Sequence, residues 1–289
     1  MEISFIGAGK AALSLSKYFF SKGHTIKYIF DIDDTKSAKF AEEIGCENVS
    51  IECIVKNSQI IFLTVNDSAI YPLWDKIKNS IGNNETIFIH CSGAKEGIYE
   101  DKTLYALHPA CSMTGNGDLD KICFGLENFG DKVDFIKNFI ENMGNRVIFI
   151  SKDKKREYHL ANVMVSNLVL SIIDRGVSYL KNANLNEDEA LALLIPLAKQ
   201  NLLNIESKGI VNSITGPAAR EDFEVLKNHI EIIQEEDKNL YKYLSQNILN
   251  ILGKNIDINT KIWISHLRDF IFSFIFLFYN YHLLIVDYL

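Results

Sequence analysis

The sequence predicts an α/β chain in two parts, a doubly wound parallel sheet at the N-terminus followed by an all-α C-terminal domain. Three observations carry that prediction. The first dozen residues hold an apolar run at 3–6, a G-x-G-x-x-A turn at Gly7, Gly9 and Ala12, and an amphipathic stretch beyond it. Apolar runs of strand length then alternate with helical periodicity as far as residue 150. After residue 151 no strand pattern appears and helical spacing takes over.

The opening turn has the form of a dinucleotide-binding unit. Gly7 allows the tight turn, Gly9 lets the backbone approach a pyrophosphate, and Ala12 lets helix and strand pack closely. Ala8, Lys10 and Ala11 belong to the same start of a helix, whose free amides and positive dipole end suit phosphate. A second strand, 25–30, ends in Asp31, about 20 residues past the glycines, where a ribose hydroxyl is gripped. Asp33 rivals it for that role. These residues predict NAD or NADP as cofactor, with Asp31 weighting NAD; another nucleotide, or S-adenosylmethionine, fits the same turn.

Further along, a helix over 36–44 is stopped by Gly45. The strand at 60–65 is continuous in apolar residues, as expected when both faces are covered, and it ends at Asn66-Asp67. A helix at 70–81, a strand at 86–91 running into Ser92-Gly93, and a short strand at 104–107 running into His108 follow. A helix at 132–143 and a strand at 146–150 close a first domain of residues 1–151. Open α/β sheets bind ligands at the carboxyl ends of their strands. Val65 and Asn66 are therefore candidates for the cofactor, and Ser92, Gly93 and His108 for the substrate.

A second domain, 152–259, opens on a helix over 153–182, roughly 30 residues and near 45 Å long. On a wheel of about 100° per residue, Lys155, His159, Asn162 and Ser166 share an arc of about 60°, with Asn167 at its edge. Tyr158, Val165, Val169 and Ile172 form an apolar flank. The polar stripe is either a solvent-facing side or the wall of a cleft below the nucleotide. Helices at 186–208, 222–235 and 237–252 follow, the first with Leu191, Leu194, Ile195, Leu197 and Ala198 as expected core. In the loop before the second, Gly216-Pro217 breaks the helix and Asp222 can cap the next. Thr215, Arg220 and Asp222 could also clamp an acidic substrate, because Arg binds a carboxylate in a bidentate fork. Residues 260–289 form an apolar extension. Its run at 270–286 is slightly short of a bilayer span, so membrane contact is expected only if this tail is exposed.

Composition narrows the function classes. With 289 residues and 47% hydrophobic content the chain can bury sizeable cores. A net charge of −7 speaks against a nucleic-acid footprint. Cys46, Cys53, Cys91, Cys111 and Cys123 form no C-x-x-C pair and stand at no metal-ligand spacing, so no metal is expected and reduced thiols in a cytoplasm are. The N-terminus enters a strand directly, without the pattern of an export signal.

The series Gly7-Ala8-Gly9, His90-Cys91-Ser92-Gly93, Leu107-His108-Pro109, Lys155-x-x-Tyr158-His159 with Asn167, and Thr215-Gly216-Pro217-Ala218-Ala219-Arg220-x-Asp222 with His229 resembles a family of Rossmann-like proteins with a helical C-terminal domain of unassigned function. Its members are described as NADP-dependent oxidoreductases and are similar in build to pyrroline-5-carboxylate and ketopantoate reductases. The resemblance implies a nicotinamide-binding domain, a dimerising helical domain and a cleft between them. Two positions depart from it. The family tends to have Arg-Gly-Asp where this chain has Arg220-Glu221-Asp222, and it tends to have an Arg near Asp33, a guanidinium suited to the 2′-phosphate of NADP.

Together these features predict an NAD(P)-dependent oxidoreductase of a small carbonyl or imine metabolite, working as a homodimer. His159 is the candidate general acid, because imidazole titrates near neutrality. Lys155 is the candidate for stabilising a developing oxyanion, and Asn162, Ser166 and Asn167 for orienting the substrate. A nucleotide-dependent sensor or scaffold without turnover needs the same cradle and is the rival expectation.

Overall fold

The computed structural model describes residues 1–81, 85–100 and 102–262, with 264 and 271. From the N-terminus, β1 (Glu2–Ile6), α1 (Lys10–Ser21), β2 (Thr25–Phe30), α2 (Asp34–Ile44), β3 (Glu47–Asn48), α3 (Ile51–Asn57), β4 (Ile60–Leu63) and α4 (Asp67–Ile77) come first. Then follow β5 (Ile87–His90), β6 (Ile98–Tyr99), β7 (Thr103–Pro109), β8 (Cys123–Glu127), α5 (Val133–Glu141) and β9 (Arg146–Ile150). The sheet order is β3-β2-β1-β4-β5-β7-β8-β9, with β6 alongside β7. From β3 to β7 along that path the pairings are parallel, and the order reverses direction between β1 and β4. Such a switch point is where open α/β sheets leave a ligand crevice.

Three strands, β3, β6 and β8, correct the sequence expectation, and β8 bears most on the site. β8 lies between β7 and β9, antiparallel to the first and parallel to the second. Its five residues, Cys-Phe-Gly-Leu-Glu, carry a central glycine and a terminal acid, both of which weaken a strand pattern.

Alternation along the strands sorts side chains into two faces. Ile60 and Phe62, Ile87 and Ile89, Tyr105 and Leu107, and Phe124 and Leu126 enter one core with Leu15 and Phe19 of α1 and Ile136 and Ile140 of α5. Ile61, Leu63 and Phe88 enter the opposite core with Ile54 of α3 and Ile70 and Trp74 of α4. By the same alternation, His90, His108, Gly125 and Glu127 belong to this second face. There the next helix covers them.

That helix begins after a 3-10 turn at Lys152–Lys154 and consists of α6 (Lys155–Val163), a π-helical turn at Met164–Leu168, and α7 (Val169–Asn182). As a whole it is long and apolar enough to cross a membrane by length and composition, yet almost none of its apolar stretch is buried. By contacts the chain divides into two compact units, Met1–Arg175 and a second from Gly176 onward. The expected division after residue 151 follows the change of element type; by contacts the sheet unit runs on to Arg175.

The second unit contains α8 (Glu187–Ser213), α9 (Pro217–Arg220), α10 (Phe223–Ile232) and α11 (Glu235–Ile251). Asn186 and Glu189 form a reciprocal capping box at the start of α8. Ala218, Leu226, Ile230, Leu249, Ile258 and Ile262 form the core, so packed chain continues past residue 259. The core expected on α8 is corrected: Ala190 is its buried residue, Leu191, Leu194, Ile195 and Ala198 are half-buried, and Leu197 is 61% exposed. A wheel shows that a helix has an apolar face, and not what covers it. The apolar run at 270–286, apart from 271, lies outside the described residues.

Candidate functional site

The turn after β1 is built for a close approach of backbone to ligand. Gly7 has φ of 107°, its N–H donates to the Phe30 carbonyl at 2.7 Å, and a Cβ there would lie 2.7 Å from the Thr64 backbone. No L side chain fits that position. A Cβ on Gly9, the N-cap of α1, would meet nothing within 4 Å among the described residues, so the space in front of the helix is open. α1 also starts with no side-chain cap and no acid in its first turn, which leaves its first amides available to an anion. Gly9 and Lys10 are exposed; Ala8 and Ala11 are half-buried. These residues fit a dinucleotide pyrophosphate.

At the end of β2, the Asp31 carboxylate accepts the Ala8 N–H at 2.7 Å and the Asp33 N–H at 2.9 Å. It therefore ties the glycine turn to the second strand, besides standing where a ribose would lie. Asp33 caps α2, accepting the Thr35 and Lys36 amides at 3.1 and 3.2 Å, and these bonds hold its carboxyl below the usual range. Val65 is half-buried just beyond β4, and Asn66 is the exposed N-cap of α4.

Three strands away, α6 lays its first turns on the second face of the sheet. Tyr158 stands over Gly125, where a Cβ would lie 2.5 Å from its hydroxyl oxygen, and that hydroxyl lies 2.8 Å from Nδ1 of His108. His108 and Gly125 are paired across β7 and β8. A Cβ on Gly93, after β5, would sit 2.9 Å from both Nε2 of His108 and Nδ1 of His159. Two glycines thus make room for two imidazoles and a phenol. Nδ1 of His159 is buried without a partner. Burial, helped by the charge of Lys155, pushes the His108 pKa down to about 4, and burial pushes the Tyr158 phenol up to about 12.

Beneath this cluster lies a buried ion pair. Lys155 is 1% exposed, and its Nζ stands 3.2 Å from Oε1 of an equally buried Glu127. The pair is held by charge and not by an aligned hydrogen bond. Oε2 of Glu127 accepts the Gly97 N–H at 3.0 Å and the Tyr99 hydroxyl at 2.9 Å, so the carboxylate is fixed from the other side. Burial lowers the Lys155 pKa, with Glu127 opposing it. The ammonium also lies 5.9 Å from the centre of the Tyr158 ring. His90 has both nitrogens committed: Nδ1 takes the Ser92 N–H at 3.3 Å and Nε2 faces the Glu96 carbonyl at 3.1 Å. An amide can only donate and a carbonyl can only accept, which fixes the Nε2–H tautomer. Burial takes its pKa to about 3.

The structure brings Ser92, Gly93, His108, Lys155 and His159 together. Ser92 itself accepts the Ala94 and Lys95 amides at 3.1 and 3.0 Å and shapes the loop. Asn162 donates to the Tyr158 carbonyl at 2.8 Å, and Ser166 to the Asn162 carbonyl at 2.7 Å, so both amide and hydroxyl bond back to their own helix. Ser166 and Asn167 are exposed in the π-helical turn, about 16 Å along the helix from Lys155. In the second unit Thr215 and Arg220 are exposed, while Asp222 caps α10 by accepting the Val225 N–H at 3.2 Å. Glu127, which the sequence reading passes over, is the main addition. Its signal lies in the period of two over 123–127, which puts Gly125 and Glu127 on one face.

A sheet of this order, with a glycine turn after β1 and an acid at the end of β2, defines a Rossmann-like dinucleotide-binding domain, here followed by a helical domain. Residues 2–92 match the family described as NADP oxidoreductase, coenzyme F420-dependent, and residues 122–248 match a domain of unknown function, DUF2520. The chain joins these two domains in that order. Among solved structures, protein TM1727 of Thermotoga maritima is 23% identical, with 87% of this chain and 98% of that one covered and a TM-score of 0.68. BF3122 of Bacteroides fragilis, provisionally assigned as an NADP oxidoreductase, is 22% identical over 86% and 97% of the two chains, also at 0.68. A pyrroline-5-carboxylate reductase of Coxiella burnetii is 14% identical over 87% and 97%, at 0.59. At these identities the likeness establishes the fold. No curated protein matches the chain significantly.

Proposed function

We propose that the chain reduces a small carbonyl or imine compound with a nicotinamide dinucleotide, NADH in preference to NADPH. One observation carries the reading: an open phosphate cradle at Gly9 and a cluster of imidazoles at Gly93 lie at the carboxyl ends of parallel strands of one sheet. β1 and β7 are three strand spacings apart, about 14 Å. The bound dinucleotide supplies hydride. The protein's own residues hold the substrate at the carboxyl ends of these strands and deliver the proton, with His159 as general acid and Lys155 contributing positive potential.

The cofactor preference follows from β2. Asp31 and Asp33 put two carboxylates where a 2′-phosphate would go, and Asp33 already occupies the Thr35 and Lys36 amides that could receive one. The exposed apolar residues Met164, Val165, Leu168 and Leu170, and Leu193, Leu197, Leu202 and Leu203 on α8, support a homodimer that covers them. A second copy suits this helix better than a bilayer does, because its first turn is anchored on the sheet by Lys155 and Glu127. Fluorescence titration of the full chain tests the cofactor: NADH should bind more tightly than NADPH. Equal or reversed affinity removes the NADH preference, and binding of neither removes the reductase reading.

A further inference from the structure

The first turns of α6 rest on a part of the sheet that is rich in bases and short of free acids. His90 is fully buried on β5, with Nδ1 accepting the Ser92 N–H and Nε2–H donating to the Glu96 carbonyl. An extra proton can go only to Nδ1, where it would point at the Ser92 N–H and break the bond that starts the 92–97 loop. His108 on β7 holds the Tyr158 hydroxyl of α6, and its ring fills the space over Gly93 together with that of His159. Positive charge on His90 is opposed by Lys155 and His108, and on His108 by Lys155 and His159. The acids within reach are already used. Glu127 on β8 gives Oε1 to Lys155 and Oε2 to the Gly97 N–H and the Tyr99 hydroxyl. The Glu96 carboxylate stands 3.7 Å from Lys152. Asp67, at the start of α4, is exposed and acts only weakly on His108. Burial pushes the Cys91 thiol and the Tyr158 phenol up to about 12, so neither supplies an anion.

We propose that the underside of α6 is an acid-released latch: in mild acid His90 and His108 take up protons, the 92–97 loop and the first turns of α6 leave the sheet together, and the rest of the sheet stays folded. The loop and the helix are tied to each other, because Gly93 makes room for both rings and the Gly97 N–H holds the carboxylate that faces Lys155. The opposite core, with α1 and α5, is aliphatic and aromatic, with His24 only at its rim against Phe139. Each imidazole that the closed form keeps neutral favours the open form by up to about tenfold for every pH unit below about 6.5, where a free ring titrates. In the closed form burial takes His90 to about 3 and His108 to about 4. Stability is therefore full above about 6.5 and is lost as pH falls from there toward the closed-form values. From pH 7 to pH 5 the two rings together shift the balance roughly 500-fold. The latch does not depend on the reductase reading.

Hydrogen exchange on the full-length chain, followed by mass spectrometry and corrected for intrinsic rates, reads the latch directly. Between pH 7 and pH 5, protection in 92–99 and 155–163 should fall by roughly a hundredfold or more, while β1 and β4 lose less than about tenfold. His90→Asn and His108→Asn keep a carboxamide acceptor toward Ser92 and Tyr158 and take up no proton. Each should cut the acid effect by about twentyfold, and the double variant should remove it. Unchanged protection in both segments at pH 5, loss across the whole sheet at once, or variants that open with the parent's pH dependence would overturn the proposal. Where a variant does not fold, ¹⁵N-histidine NMR of the unmodified chain decides. His90 and His108 should stay neutral in the closed form at pH 5.5 and gain protons only as protection is lost. Rings that titrate near pH 6.5 in a chain still fully protected overturn the proposal as well.

Discussion

At the start of the helix that runs from Lys155 to Asn182 several polar residues are turned inward, and further along the same helix many apolar residues are turned outward. Lys155 is buried against Glu127, and Tyr158 and His159 are half-buried against His108 and Gly93. Past the π-helical turn Leu170 is 62% exposed, and Val165 within it is 75% exposed. Both ends invert the ordinary relation between polarity and burial. Lys155 and Tyr158 are turned inward because each has a neighbour of matching chemistry on a strand, Glu127 on β8 and His108 on β7. The apolar end is bare because the surface that would cover it belongs to no described part of this unit.

The largest effect should come from breaking the polar end. Glu127→Gln strands the Lys155 ammonium and should cost about 3–5 kcal/mol, as removal of one partner from a buried pair does. Urea denaturation measures it, and replacing both members, Lys155→Met with Glu127→Leu, should recover much of the loss. A single variant as stable as the parent would mean the pair is not buried in solution. The apolar end comes next. Leu168→Asp with Leu197→Asp should convert a homodimer to monomer in light scattering at micromolar concentration, each substitution costing on the order of 2 kcal/mol at a packed interface. A parent chain that is already monomeric sinks the idea that a second copy covers these helices.

The smallest effect concerns a position where this chain departs from the family it resembles. Glu221 has φ of 60°, a left-handed conformation, and its carboxylate sits 2.6 Å from Lys254 Nζ, which also bonds the Ala219 carbonyl at 2.6 Å. Glycine there would relieve about 1 kcal/mol of backbone strain and forfeit a part-exposed ion pair of similar or smaller worth. Glu221→Gly should leave the melting temperature level or slightly higher. A drop equivalent to more than about 1 kcal/mol would show that the ion pair matters more than the strain.

Much of the sheet was legible because its strands carry continuous apolar runs and its turns carry glycine, small residues or acids in fixed order. The glycine turn was legible for the same reason, since Gly7 takes a conformation that no L side chain fits. The site was only half legible. Lys155, His159 and His108 announce themselves as titratable groups in telling places. Glu127 does not, because one acid at the end of a short glycine-containing strand looks like the start of a loop. Nor does Tyr158, which a helical wheel assigns to an apolar flank until Gly125, on a distant strand, is seen to leave it room. Partners that meet across the sheet are fixed by register, and register is not written in either segment alone.

The π-helical turn at Met164–Leu168 gives the wheel a further reason to mislead. Its hydrogen bonds close over five residues, so the helix carries one residue more than an α-helical count would place there. Everything after Leu168 is rotated by about one residue, roughly 100°, from where continuous α-helix would put it. The direction in which the bare apolar side faces is therefore set by a local miscount and not by the pattern of the sequence as a whole. Removing a single residue from that turn would leave both ends of the helix intact and point them at different neighbours.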